Sequence, residues 1–264
     1  MILNPLPNTP PGPNLFSPHS VSSLLNILHQ TTLVFLDEMM GQLDRWTYEK
    51  RFHSYRVSIL SVELGKRMAL SPDRLTTLRG GSLLHDIGKI RVDWTILNKA
   101  DRLTPEEWSA IRQHPAHGRS ILSQIPSLAF AKDIAYQHHE RWNGTGYPNG
   151  LEQDAILIES RILGVVDSYD SMISRRSYNI PKSHEEAIDE IRGNAGILFD
   201  PEVVRVFMNI PRTFFDHVES FQHHTRSIDE FFDPEDYLAL LVPLGQSVAV
   251  KKGGPSDERE NHPE

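Results

Sequence analysis

The run Gly81-Ser82-Leu83-Leu84-His85-Asp86-Ile87-Gly88-Lys89 constrains this chain more than any other stretch. It ends an apolar helical segment on an imidazole beside a carboxylate, with an amine about one helical turn further on. Imidazole and carboxylate are both metal ligands, and a carboxylate has two oxygens with which to bridge two ions. Gly88 lets the backbone turn close to whatever sits beside it. Lys89 lies within reach of an anion held by such ions. A buried His–Asp hydrogen-bonded pair would satisfy the same residues, so the decision rests on what the rest of the chain brings to this point.

Histidine and carboxylate recur along a pattern that is otherwise helical. Thr47 to Leu70 reads as a long helix, with Val57, Leu60, Leu64 and Met68 at three- and four-residue spacing. On it Glu49 and His53 share a face, as a salt bridge or as two ligands. Ser71-Pro72 opens a helix that runs into His85-Asp86. Thr104-Pro105-Glu106-Glu107 has capping-box spacing and starts a short helix ending near His114-Pro115. His117 follows, and one of these two histidines is a candidate ligand. His138 and His139 end another apolar helix, a costly placement unless something coordinates them. The glycine-rich loop Asn143 to Gly150 cannot be regular structure; it reads as a rim over a site or a surface for a partner. Ile156 to Ile173 is an apolar helix carrying Asp167 and Asp170. A carboxylate in such a helix needs a partner, and a cation is the simplest. Asp170 serves equally well to cap or orient a neighbour. Ser183-His184-Glu185-Glu186 and Asp200-Pro201 start two more helices. There is almost no strand signal, so the expected class is all-α.

At 264 residues, 39% of them hydrophobic, the chain suits one large domain or a domain with an appendage. No apolar run approaches the roughly 20 residues that span a bilayer. No basic region followed by an apolar one marks a secretory signal at the N-terminus. These features lead us to expect a cytoplasmic protein without a membrane span. The absence of cysteine excludes disulfides and thiolate metal sites. A net charge of -8 argues against a nucleic-acid duplex as partner. It leaves a small anion open, because local metal charge outweighs the global balance. Prolines 5, 7, 10, 11, 13 and 18 mark residues 1–20 as extended or disordered. Residues 21–44 read as a helix for packing or dimerisation, 211–250 as a C-terminal helical extension and 251–264 as a disordered tail.

Glu49, His53, His85, Asp86, His114, His138, His139 and Asp167 together exceed the four ligands of a structural zinc. They match what two- and three-metal hydrolases need. With no sulfur among them, iron, manganese and zinc all suit.

Six pieces occur in one order over about residues 45–208: HSYRV from His53, HDIGKI from His85, HPAHG from His114, HHERWNGTGYP from His138, RILGVVDSYDSM from Arg161 and GILFDPEVV from Gly196. The combination resembles the HD-GYP phosphohydrolases, the branch of the HD superfamily that hydrolyses cyclic di-GMP. The resemblance implies an all-α HD-domain helical bundle over residues 45–210, with a central two- or three-metal site. It implies two or three divalent ions, iron or manganese, on the eight residues just named. Asp86 would bridge, and Glu49 would be the extra carboxylate of a third site. Asp86 and Lys89 would be catalytic. Lys89, Arg176 and Tyr147 would contact the substrate, and Asn143, Gly144, Gly146, Tyr147 and Pro148 would form the rim loop. Two departures stand out. Asn143 replaces an aspartate, and Asn179 stands where a second basic residue is expected, which bears on base recognition more than on chemistry. The expected activity is a metal-dependent phosphodiesterase that opens cyclic di-GMP to pGpG, with pGpG or GMP as the end product. The rivals are an HD hydrolase of another cyclic dinucleotide or nucleotide, and an inactive HD-fold scaffold. Expected partners besides the substrate are a diguanylate cyclase (GGDEF) domain, a separate sensory protein and a second copy of the chain.

Overall fold

Helix α1 (His53–Arg67) carries Val57, Leu60 and Leu64 at the expected spacing, and all three are buried. It packs on α2 (Pro72–Leu84) and on α7 (Ile158–Ile173). Ile162, Leu163, Val165 and Val166 of α7 are all fully buried. They make one broad buried face that places α7 at the centre of the bundle, while Asp167, Ser168 and Ser171 of the same helix line a pocket. The computed structural model describes residues 53–99, 101–174 and 180–224, without the side chains of residues 127 and 221–224. The Pro-rich segment 1–20, the helix expected over 21–44, Glu49, Arg176, Asn179 and the tail 251–264 lie outside the described residues.

The remaining helices are α3 (Trp94–Leu97), α4 (Pro105–Ile111), α5 (His114–Ser123), α6 (Lys132–Gln137), α8 (His184–Gly193), α9 (Pro201–Phe207) and α10 (Arg212–His224). Short 3-10 turns at Ile87–Arg91, Pro126–Ala131 and Gln153–Ala155 join them. The described residues form no strand, only two isolated bridges, Asn143 with Glu152 and Ala195 with Phe199. The capping boxes at Thr104 with Glu107 and Ser183 with Glu186 both form. Asp200 caps α9 through the amides of Glu202 and Val203. Ser71 occupies the N-cap position of α2, but its side chain makes no capping bond, and Pro72 sets the first turn. Among the described residues no helix is long and apolar enough to cross a membrane.

Two apolar clusters result. One surrounds α7 and takes in Phe215 and Val218 of α10. The other joins Tyr55, Leu83, Leu84, Ile87, Leu122 and Ala135. The His85-Asp86 pair follows directly on the second cluster, and Asp167 follows Val166 of the first. The site therefore sits where the two meet.

What lies beside Gly88 is the backbone of α5. A Cβ there would come 1.9 Å from the carbonyl oxygen of His114 and 2.5 Å from the amide nitrogen of Gly118. Both are main-chain atoms that can move only with their helix. Gly88→Ala is expected to push α5 away from Asp86, cost about 1–3 kcal/mol of stability and lower metal content. Thermal unfolding and metal analysis check this; a variant unchanged in both would contradict it.

Candidate metal centre

Three of the histidines are fixed by helix ends. The last carbonyls of a helix have no amide partner within it. Nδ1 of His85 donates to the carbonyl of Ser82 at 2.7 Å, near the end of α2. Nδ1 of His114 donates to Ile111, the last residue of α4, at 2.7 Å. Nδ1 of His138 donates to Ala135 at 2.8 Å, near the end of α6. A carbonyl only accepts, so each ring carries a proton on Nδ1 and turns its Nε2 inward. His53 is fixed differently: its Nδ1 lies 2.7 Å from Oδ2 of Asp170.

Asp86 occupies the middle. Its Oδ2 lies 3.3 Å from Nε2 of His85 and 2.6 Å from Nζ of Lys89. Its Oδ1 lies 3.3 Å from Nε2 of His114 and 3.8 Å from Nε2 of His138. One oxygen thus faces each histidine set, the arrangement of a bridging carboxylate. His53, His85 and Asp86 form one group with metal-ligand spacing, and His114, His138 and His139 form the other. Oδ1 of Asp167 is 3.4 Å from Nε2 of His53 and 4.0 Å from Nε2 of His85, which places it with the first group. Of the expected ligands, only Glu49 lies outside the described residues.

The donor set fits cations. Nε2 of His114 and Nε2 of His138 are 3.1 Å apart. With both Nδ1 atoms protonated, two lone pairs face each other, a repulsive contact that a cation between them relieves. Two nitrogens at right angles on one ion, each bonded at ~2.1 Å, lie about 3.0 Å apart. The buried Nε2 of His85 likewise has no hydrogen-bond partner among the described residues.

Electrostatics separate the two groups. Burial disfavours a charged His85, but Asp86 and Asp167 outweigh it and push the imidazole up to about 9. Burial also opposes ionisation of Asp86, yet Lys89 and His85 hold the carboxyl well below its ordinary value. His138 and His139 are lowered well below theirs, by burial first and by their neighbouring histidines second. His85 and the carboxylates around it therefore attract positive charge, while His138 and His139 keep neutral rings with available lone pairs.

Arg56 and Asp170 form a buried support that the sequence did not identify as such. Arg56 donates from Nε to Oδ1 of Asp170 at 2.7 Å and from Nη2 to Oδ2 at 2.8 Å. Burial raises the Asp170 carboxyl, but Arg56 and His53 prevail and hold it well below its ordinary value. Asp170 thus orients His53, as carboxylates behind metal-bound histidines do. The available signal was spacing: His53 with Arg56, and Asp167 with Asp170, each share a helix face.

The rim loop is held by Glu140, a role the sequence also did not reveal. Its buried carboxylate accepts from the amides of Asn149 at 2.8 Å and Leu151 at 2.9 Å. Asn143 accepts from the Thr145 amide and hydroxyl. Gly144 has φ +75, a conformation that favours glycine. Gly146 lets the loop close down, because a Cβ there would meet the Arg141 nitrogen at 2.3 Å. The loop sets the Tyr147 ring on His139, with centroids 4.7 Å apart and planes at 25°. Burial, then Asp86, keep the Tyr147 phenol protonated, far above its ordinary value. Glu140→Ala is expected to release the loop and raise KM about tenfold with metal content retained. Loss of metal instead would tie Glu140 to His139 rather than to the loop.

A pocket of about 440 Å³ opens above these residues; Asp86, Lys89, His114, His139, Tyr147 and Asp167 all line it. A family model described as the HD domain matches residues 38–203. The chain belongs to the HD-domain family. This HD-domain chain is 42% identical over 178 residues to a cyclic di-GMP phosphodiesterase of Thermotoga maritima, covering 66% of the chain and 48% of that relative. It is 30% identical over 188 residues to 3'3'-cGAMP-specific phosphodiesterase 2 of Vibrio cholerae, covering 70% of the chain and 36% of that relative. The chain therefore spans less than half the length of these curated relatives. A crystal structure of a cyclic GMP-AMP-specific phosphodiesterase of V. cholerae matches with a TM-score of 0.56 at 19% identity, over 72% of this chain and 50% of that one. That likeness supports the helical HD fold, and the HD-GYP resemblance of the motifs stands beside it.

Proposed function

We propose that this HD-domain protein is a metal-dependent phosphodiesterase that opens cyclic di-GMP to the linear dinucleotide pGpG. Iron or manganese would occupy two sites that share Asp86. The observation that carries this reading is the placement of Asp86, with one oxygen toward each histidine set and Lys89 at 2.6 Å on the pocket floor. His53, His85 and Asp167 would complete one site, and His114, His138 and His139 the other. Glu49 is the candidate carboxylate of a third. When bound, the ions supply Lewis acidity at the phosphoryl group and lower the pKa of the attacking water. Lys89 holds an ammonium beside that position and offsets charge on the phosphoryl oxygens as it develops. Tyr147, protonated and fixed on His139, offers a hydroxyl donor from the rim. Arg176 would contact a guanine.

The relatives named for cyclic di-GMP support this substrate. Hydrolysis of 3'3'-cGAMP is the second reading, favoured by the relatives of that name and by the uncharged Asn179. A catalytic domain over residues 45–210 acting in the cytoplasm belongs to the same proposal. So do a GGDEF domain on the rim loop, a separate sensory protein as the source of input, and a homodimer through residues 21–44. The test is turnover of both dinucleotides by purified protein, with metal analysis on the same sample, after iron or manganese reconstitution. Turnover of cyclic di-GMP with two or three ions per chain supports the proposal. Full metal occupancy without turnover of either substrate moves the activity to another nucleotide. Neither metal nor turnover would leave an HD-fold binding protein.

A further inference from the structure

Two residues that line the pocket, Trp108 and Arg141, have no part in the phosphate chemistry proposed above. Trp108 stands on α4, lines the pocket and leaves 51% of its surface exposed. It lies one helical turn, or ~5 Å of rise, from Ile111, whose carbonyl anchors His114. Helix α4 is secured without the indole, by its capping box and by the pairing of Lys99 with Glu107. Arg141 lines the same pocket. Of the two lysine and arginine side chains that line the pocket, Lys89 is bonded to Asp86, whereas Arg141 makes no ion pair among the described residues. Its guanidinium rests 5.8 Å from the centre of the Phe199 ring, which lines the pocket with it.

We propose that Trp108 and Arg141 form a nucleobase subsite, the indole stacking on a purine and the guanidinium donating to the O6 and N7 edge of a guanine. This rests on the cyclic-dinucleotide reading above and names the base that the site selects. Stacking is indifferent to base identity, because every base has a π face. The arginine fork is not, since guanine presents two acceptors on that edge where adenine presents N7 beside an amino donor. The two residues therefore have separable effects.

Calorimetric titration of the metal-loaded full chain with nonhydrolysable phosphorothioate analogues of cyclic di-GMP and cyclic di-AMP tells them apart. Trp108→Ala is expected to weaken both analogues about tenfold, with Trp108→Phe restoring most of the loss. Arg141→Ala is expected to weaken the guanine analogue about tenfold and to leave the adenine analogue within about twofold. Metal content should stay at the wild-type value in both variants, and so should hydrolysis of bis(p-nitrophenyl) phosphate, a diester without a base, by Arg141→Ala. Unchanged binding by Trp108→Ala, or a loss of metal that accompanies the loss of binding, overturns the subsite. Equal weakening of both analogues by Arg141→Ala overturns the guanine assignment. A wild-type chain that hydrolyses the base-free diester but binds neither analogue overturns the cyclic-dinucleotide reading instead.

Discussion

Asp86→Ala is expected to lower cyclic di-GMP turnover by about a thousandfold or more and to strip the protein of metal, while the fold survives. The reason is the placement of the carboxylate. Its two oxygens face His85 on one side and His114 and His138 on the other, so one substitution removes a donor from both candidate sites. Lys89 also loses the carboxylate that holds its ammonium over the pocket floor. The helices keep their own supports, because the carbonyls of Ser82, Ile111 and Ala135 anchor the histidines without help from Asp86. Metal analysis, turnover and circular dichroism on one sample decide the matter. A folded Asp86→Ala variant with wild-type activity would remove the hydrolase proposal; an unfolded one would show that Asp86 is chiefly structural.

The residues legible in the sequence were those whose local context was already unusual. Paired or adjacent histidines at the ends of apolar helices stood out because burying them without partners is costly, and helix ends turn out to supply partners for His85, His114 and His138. Asp167 stood out as a carboxylate in an apolar helix. Thr104 and Ser183 were legible as caps because a capping box is complete within four residues. Asp170 was legible as a residue that could orient a neighbour, though not which one, and Arg56 and Glu140 were not legible in their roles, since their meaning depends on partners brought near only by the fold. Arg56 and Asp170 are 114 residues apart. Gly88 read as room for a turn, but only α5 shows what approaches it. Trp108 carried no signal in the sequence, and only the pocket that it lines together with His114 gives it a meaning.

Asp170→Ala is expected to fail in the opposite way to Asp86→Ala, by losing stability first. It removes the carboxylate that balances Arg56, a guanidinium only 1% exposed. Breaking such a buried pair from one side costs about 3–5 kcal/mol, which shifts the urea unfolding midpoint well below that of the wild type. The same change releases Nδ1 of His53, so metal affinity should fall about 10- to 100-fold even in the folded fraction. A variant that melts like the wild type and keeps its metal would show that the 2.7 Å contact between His53 and Asp170 has neither role. The two effects have different causes, and a second variant separates them. Arg56→Met combined with Asp170→Leu fills the same space without charge, and such replacements are often neutral or stabilising. It should therefore recover most of the lost stability. It cannot restore an acceptor for His53, so its metal affinity should stay low. Stability regained without metal would assign Arg56 to balancing Asp170, and Asp170 to orienting the histidine.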